Sequence, residues 1–126
     1  MIDELMLYAG SAVIIFWGIA HIVIPTKGII QGFGPISVDN QRILAMEWIM
    51  EGLTLCFIGM LVILVTIFEG TENPACTLVY RASALMLVVM AIVSWFTGAK
   101  TSIVPMKLCP PIFTAVAVLF LLGSGV

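Results

Sequence analysis

Residues 42–68 read RILAMEWIMEGLTLCFIGMLVILVTIF. After Arg42 the only charged side chains in this stretch are Glu47 and Glu51, and nothing from Gly52 onward is charged. A helix crosses hydrocarbon with about 20 predominantly apolar residues. The stretch is therefore long enough to span with tilt or to project into water. Its apolar run is continuous, without the alternation over about ten positions that a membrane barrel strand needs. A helix also satisfies its own backbone groups where no water is present.

Three more stretches share this character. Residues 5–24, LMLYAGSAVIIFWGIAHIVI, stop at Pro25, which lacks an amide N–H and disfavours helix at Ile24. Residues 78–98 form the third span, and residues 110–123, extending at most to Val126, form a short fourth. Ser37, Asp39 and Asn40 are N-cap types before the second span. Gly70 closes that span, Pro74 blocks its restart, and Pro110-Pro111 sit where a helix start tolerates them. Gly32, Gly34 and Pro35 keep the first loop non-helical. The expected fold is all-α: an integral membrane four-helix bundle, one transmembrane domain over residues 1–126, with both termini on the outer side.

Composition agrees. The chain is 62% hydrophobic and 10% charged, with mean hydropathy +1.22, whereas soluble domains carry roughly 25% charged residues. Too few charged side chains exist to cover a water-soluble globule, which excludes soluble enzymes and disordered tails. Five Lys+Arg against seven Asp+Glu leave no basic stripe, so no nucleic acid is expected as partner. The bilayer is the expected surrounding.

Charge also orients the spans. Lys27, Arg42, Lys100 and Lys107 flank the loops near residues 30 and 105, while the other end holds only Arg81. The positive-inside rule places those two loops in the cytoplasm, in the manner of a bacterial cytoplasmic-membrane protein. Tyr8 and Tyr80 near the outer face and Trp95 near the inner one fit an aromatic belt. The first span starts with Asp3 and Glu4 rather than a basic region, unlike a cleavable signal peptide. Cys56 is mid-span, Cys76 falls in the outer loop and Cys109 at the inner face, so no disulfide framework or CxxC metal spacing is expected. The eight methionines read as core filling.

Glu47 and Glu51 carry the functional signal. They are four apart and share one helix face, which Thr54 continues. Measured from Arg42, Glu47 lies about 8 Å and Glu51 about 14 Å along the helix. An ionised carboxylate at such depth costs about 2.5–3.5 kcal/mol even on insertion scales. Each must find a cation or take up a proton, and their face must meet protein or a polar cavity. His21 sits about 6 Å from the same end, level with Glu47, and Trp17 lies on its face. Arg42 reaches Glu47, whereas Arg81 is too far out. Ser94 and Trp95, near the inner end of the third span, close the site, and Trp48 lies deeper on the inner half. The expected ligand-binding set is thus His21, Glu47, Glu51, Trp17, Trp48, Trp95, Thr54 and Arg42. The competing reading of His21 and Glu47 is a buried polar pair joining helices, and of the tryptophans, packing or belt.

Other signals are weaker. Gly52 and Gly59, and Gly10 and Gly18, pair up on helix faces as small residues do at close helix contacts, within the bundle or between copies. The loop PTKGIIQGFGPIS (residues 25–37) reads either as a lid over the inner mouth or as an interfacial turn. One His supplies a single axial haem ligand, so a second would come from Met or another copy. One His and two Glu are also too few for zinc or di-iron chemistry, so no metal or other cofactor is assigned, and no nucleophile–base pair or nucleotide motif identifies an enzyme.

The layout resembles the DoxX-like group of small four-helix bacterial membrane proteins. It has Gly18 and the polar His21 near the inner end of a first span, Glu51-Gly52 in a second, a third rich in small residues and Leu/Met, and a short fourth. The resemblance implies a compact four-helix bundle and a quinone-linked or redox-accessory role. It carries over no site residue, because His21 and the pair Glu47/Glu51 do not map onto a known site of the family.

Three functions follow as expectations. One is binding of a quinone- or lipid-type ligand, or a small polar one, at the His/Glu cluster. Another is proton-coupled or cation transport by a homo-oligomer. The third is a structural subunit of a larger membrane complex.

Overall fold

The computed structural model describes residues 1–24 and 26–125. They form helices α1 (Ile2–Val23), α2 (Thr26–Gln31), α3 (Val38–Glu69), α4 (Pro74–Phe96) and α5 (Val104–Gly123), with one 3-10 turn at Gly98–Lys100. No strand occurs among the described residues. Four helices are long and apolar enough to cross a membrane: α1, α3, α5, and α4 together with the 3-10 turn.

Local chemistry sets most boundaries. Ser37 caps α3 by accepting the Asn40 amide at 3.2 Å, and Gly70 ends it at φ +72°, a conformation that suits glycine. α3 is about 48 Å long, so its first turns, with Asp39 and Arg42, extend beyond a hydrocarbon layer of about 30 Å.

Several boundaries differ from expectation. α4 starts at Pro74 rather than residue 78: Asn73 accepts the Ala75 amide at 2.9 Å, and proline suits the first turn, where its missing N–H needs no partner. Pro74 therefore opens a helix instead of blocking one. α5 starts at Val104, with Pro105 in its first turn, so Pro110 and Pro111 lie inside the helix. The early start places Cys109 within the bundle, buried, rather than at the inner face. Cys76 is likewise buried, in the first turn of α4 rather than in a loop. Tyr80 leaves the belt for the core, where its hydroxyl meets Thr66 Oγ1 at 2.9 Å. The first loop contains α2, a helix its glycines did not forecast. The expected stop at Pro25 and the extension to Val126 fall outside the described residues.

α1 packs between α3 and α5, α5 between α1 and α4, and of the four long-helix pairs in contact α3 and α4 touch least. Gly123 packs on Leu7 and the Asp3 carbonyl, so both termini share one end. The outer faces are apolar, with Phe16, Phe57, Phe68, Leu85 and Phe96 all exposed. In water such a surface would associate; in hydrocarbon it is at home.

Glycines set the α1–α3 seam. A Cβ on Gly18 would lie 2.6 Å from the Gly52 carbonyl oxygen, and one on Gly52 would lie 2.7 Å from that of Gly18. Gly59 meets Ser11 and Ile15 in the same way, while Gly10 faces Phe120 of α5. The small-residue pairs thus serve contacts within the bundle. Gly52→Ala must push α1 from α3 and is expected to destabilise by about 1–3 kcal/mol. Gly28→Ala, whose Cβ meets nothing within 4 Å, is expected to be neutral or slightly stabilising. Thermal unfolding in detergent micelles compares the two.

Candidate functional site

The seam determines where His21 lies. Gly52 faces both Gly18 and the His21 Cβ, so the neighbouring Glu51 comes level with the imidazole. His21 is 1% exposed. Its Nδ1 is 2.8 Å from the Trp17 carbonyl. A carbonyl only accepts, so Nδ1 carries the hydrogen. In the neutral ring Nε2 is then left with its lone pair. Nε2 has no hydrogen-bond partner within the described structure and faces Glu51 Oε1 at 3.9 Å. Two indoles hold the ring. Trp17 meets it edge-on at 5.2 Å between centroids, and Trp48 stacks on it at 4.3 Å and 27°.

The expected level of His21 with Glu47 is therefore corrected by one turn: the carboxylate beside the imidazole belongs to Glu51. Depth counted from Arg42 takes the ends of the two helices as level, whereas the Gly18–Gly52 contact sets their register and α3 runs on past the end of α1. Glu47 is exposed and lies on the wall of a neighbouring cavity instead.

That cavity, of about 450 Å³, occupies the gap between α3 and α4. The two helices are tied at their turn end by Thr66–Tyr80 and by the Cys76 thiol, which donates to the Val65 carbonyl at 3.6 Å. Toward the other end the cavity separates them. α3 contributes Glu47, Trp48, Glu51 and Thr54, α4 contributes Met86 and Met90, and α5 contributes Met106. Ile29 and Ile30 of α2, with Phe33, line it as well, which puts the first loop beside the cavity, where a lid would lie. Thr54 turns its own hydroxyl to the Met50 carbonyl at 2.9 Å. A second space of about 350 Å³ shares Glu51, Met90 and Met106 and is also lined by Ser94 and Cys109.

Two expected members are elsewhere. Trp95 is 61% exposed and lines two grooves that Glu51 does not reach. Arg42 is 78% exposed and 3.8 Å from Asp39, its neighbour one turn along the first part of α3. It gives Glu47 no ion pair. Its projection into water explains both facts.

The member that spacing missed is Cys109. Its Sγ, a His21 nitrogen and a Glu51 oxygen all lie within 4.8 Å of one another. No sequence interval links a residue on α5 to His21 on α1, so only the packing of α5 against α1 brings them together. Likewise Met86, Met90 and Met106 line the cavities, and of these Met90 also packs against the core.

No family model, curated protein or solved structure matches this chain. The site is therefore read from its own chemistry.

If Glu51 rather than Glu47 is the partner of His21, a double-mutant cycle separates them. His21→Asn with Glu51→Gln is expected to show coupling of about 0.6 kcal/mol, up to about 1.7, as contacts between membrane helices do. His21→Asn with Glu47→Gln is expected to be additive. Unfolding in mixed micelles measures both cycles.

Proposed function

We propose that the chain is a small integral membrane protein that binds a lipophilic molecule with a polar head, of quinone or lipid type, in the cavity between α3 and α4. The observation that carries this reading is the wall of that cavity. It is mostly apolar side chains, many of them flexible methionines, interrupted by the carboxylates of Glu47 and Glu51. Small-molecule sites have this make-up: about 300–1,000 Å³, mainly apolar, with a few placed polar groups. The thin α3–α4 contact gives a bilayer-dissolved molecule a lateral way in. Its tail would lie along Met86 and Met90, and its head would reach Glu51 and the Trp48 edge.

In this reading the end that holds the site faces the cytoplasm of a bacterial cell, since Lys27, Arg42, Lys100 and Lys107 cluster there. Both termini then face outward. A redox-accessory role, as the DoxX-like resemblance implies, is the form of this function that a bound quinone would take.

Mass spectrometry of the chain extracted in native lipid nanodiscs tests the proposal. A quinone or lipid species enriched over bulk lipid is expected to be retained. Thr54→Trp, which fills the cavity, is expected to lower its retention about tenfold, equivalent to about 1.4 kcal/mol. Leu78→Trp on the exposed face of α4 is expected to leave it unchanged. No enriched species, or equal retention in the filled variant, would overturn the reading.

A further inference from the structure

We propose that His21, Glu51 and Cys109 form a binding site for a borderline-soft divalent metal ion of the Zn²⁺ class, open on the cavity side. The inference goes beyond the lipophilic ligand and does not depend on it.

Three independent features meet at one point. The first is the donor set: an imidazole nitrogen, a carboxylate oxygen and a thiol sulfur, from three different helices, all within 4.8 Å of one another. These are the ligand types zinc takes. Tetrahedral bonds of about 2.0–2.3 Å place ligand atoms about 3.5 Å apart. The His21–Glu51 separation of 3.9 Å is within about 0.5 Å of that spacing.

The second is the state of His21. Metal-bound histidines commonly donate their other ring N–H to a carbonyl or carboxylate, which fixes tautomer and orientation. Nδ1 does this toward Trp17 at 2.8 Å, between two flanking indoles. Nε2 is left buried, without a hydrogen-bond partner and directed at Glu51. A buried polar nitrogen without a partner costs about 1–3 kcal/mol, and a metal ion is a partner that its lone pair can take.

The third is the surroundings. Glu51, Met90 and Met106 belong to both cavities, and Cys109 lines the second. Three protein ligands with a cavity beside them match zinc sites that keep a fourth position for water or a substrate oxygen. On binding, Cys109 loses its thiol proton to solvent and ligates as thiolate. The ion would also compensate Glu51 in a region where a free carboxylate is costly.

The test uses the tag-free full chain in detergent, stripped with a chelator and then loaded with Zn²⁺ or Co²⁺. One zinc per chain is expected by elemental mass spectrometry. The Co²⁺ form is expected to show thiolate-to-cobalt charge-transfer absorption together with the visible bands of a tetrahedral ion. Cys109→Ser is expected to abolish the charge-transfer band, and Cys56→Ser and Cys76→Ser to preserve it. His21→Ala and Glu51→Gln are each expected to weaken zinc binding by more than about 10-fold, the least that even second-shell losses cost. Absence of a thiolate–cobalt band in the wild-type chain would overturn the proposal whether or not any variant folds. So would a band that survives Cys109→Ser. A chain that shows the band but retains no lipophilic molecule would keep the metal site and lose only the ligand reading.

Discussion

The backbones of α1 and α3 meet at Gly18 and Gly52, and the site depends on that contact. Each glycine leaves room for the other's carbonyl oxygen, which any side chain would occupy. The close approach brings His21 against α3 and Glu51 level with its ring. It also leaves Trp48 one turn away to stack on the imidazole. Had the seam been built from leucines, the helices would stand farther apart and the two polar groups would face a gap. The arrangement joins two requirements of an apolar medium: helices without a hydrophobic drive to associate need close packing, and intramembrane polar groups need protein neighbours.

The same geometry explains the asymmetry of the bundle. α1 is held on two sides, by α3 and by α5, while α3 and α4 share little beyond their connecting turn and the Thr66–Tyr80 and Cys76–Val65 hydrogen bonds. A cavity fills the remaining gap, and Glu47 and Glu51 stand on its wall. Rigid seam and loose seam thus have different parts to play. One fixes the geometry of His21 and Glu51, and the other leaves space beside them.

Much of this could be read from residue order. Continuous apolar runs specify four long helices, and the interval between Glu47 and Glu51 specifies a polar face. The single His near the end of the first run points at that face. What residue order does not carry is register between helices. The backbone contact between Gly18 and Gly52 sets that register, and with it Glu51 rather than Glu47 as the neighbour of His21. Cys109 was hidden for a related reason. Pro110-Pro111 suggests a helix start, yet α5 begins six residues earlier, at Pro105's neighbour Val104, and carries the thiol into the bundle. Trp95 and Arg42 show the converse: residue type suited the site, but Trp95 lies on an exposed helix face and Arg42 on the first turns of α3, beside Asp39.

The central claim is that the imidazole of His21 and the carboxylate of Glu51 face each other inside the bundle. Because the chain has one histidine, ¹⁵N-labelled His observed with ¹³C-labelled Glu in lipid bilayers reports on that site alone. Solid-state NMR dipolar recoupling should give a His21–carboxyl coupling consistent with Nε2 and Oε1 at 3.9 Å, persisting in Glu47→Gln and lost in Glu51→Gln. A coupling that is absent in the wild-type chain, or that disappears only with Glu47→Gln, would contradict the account.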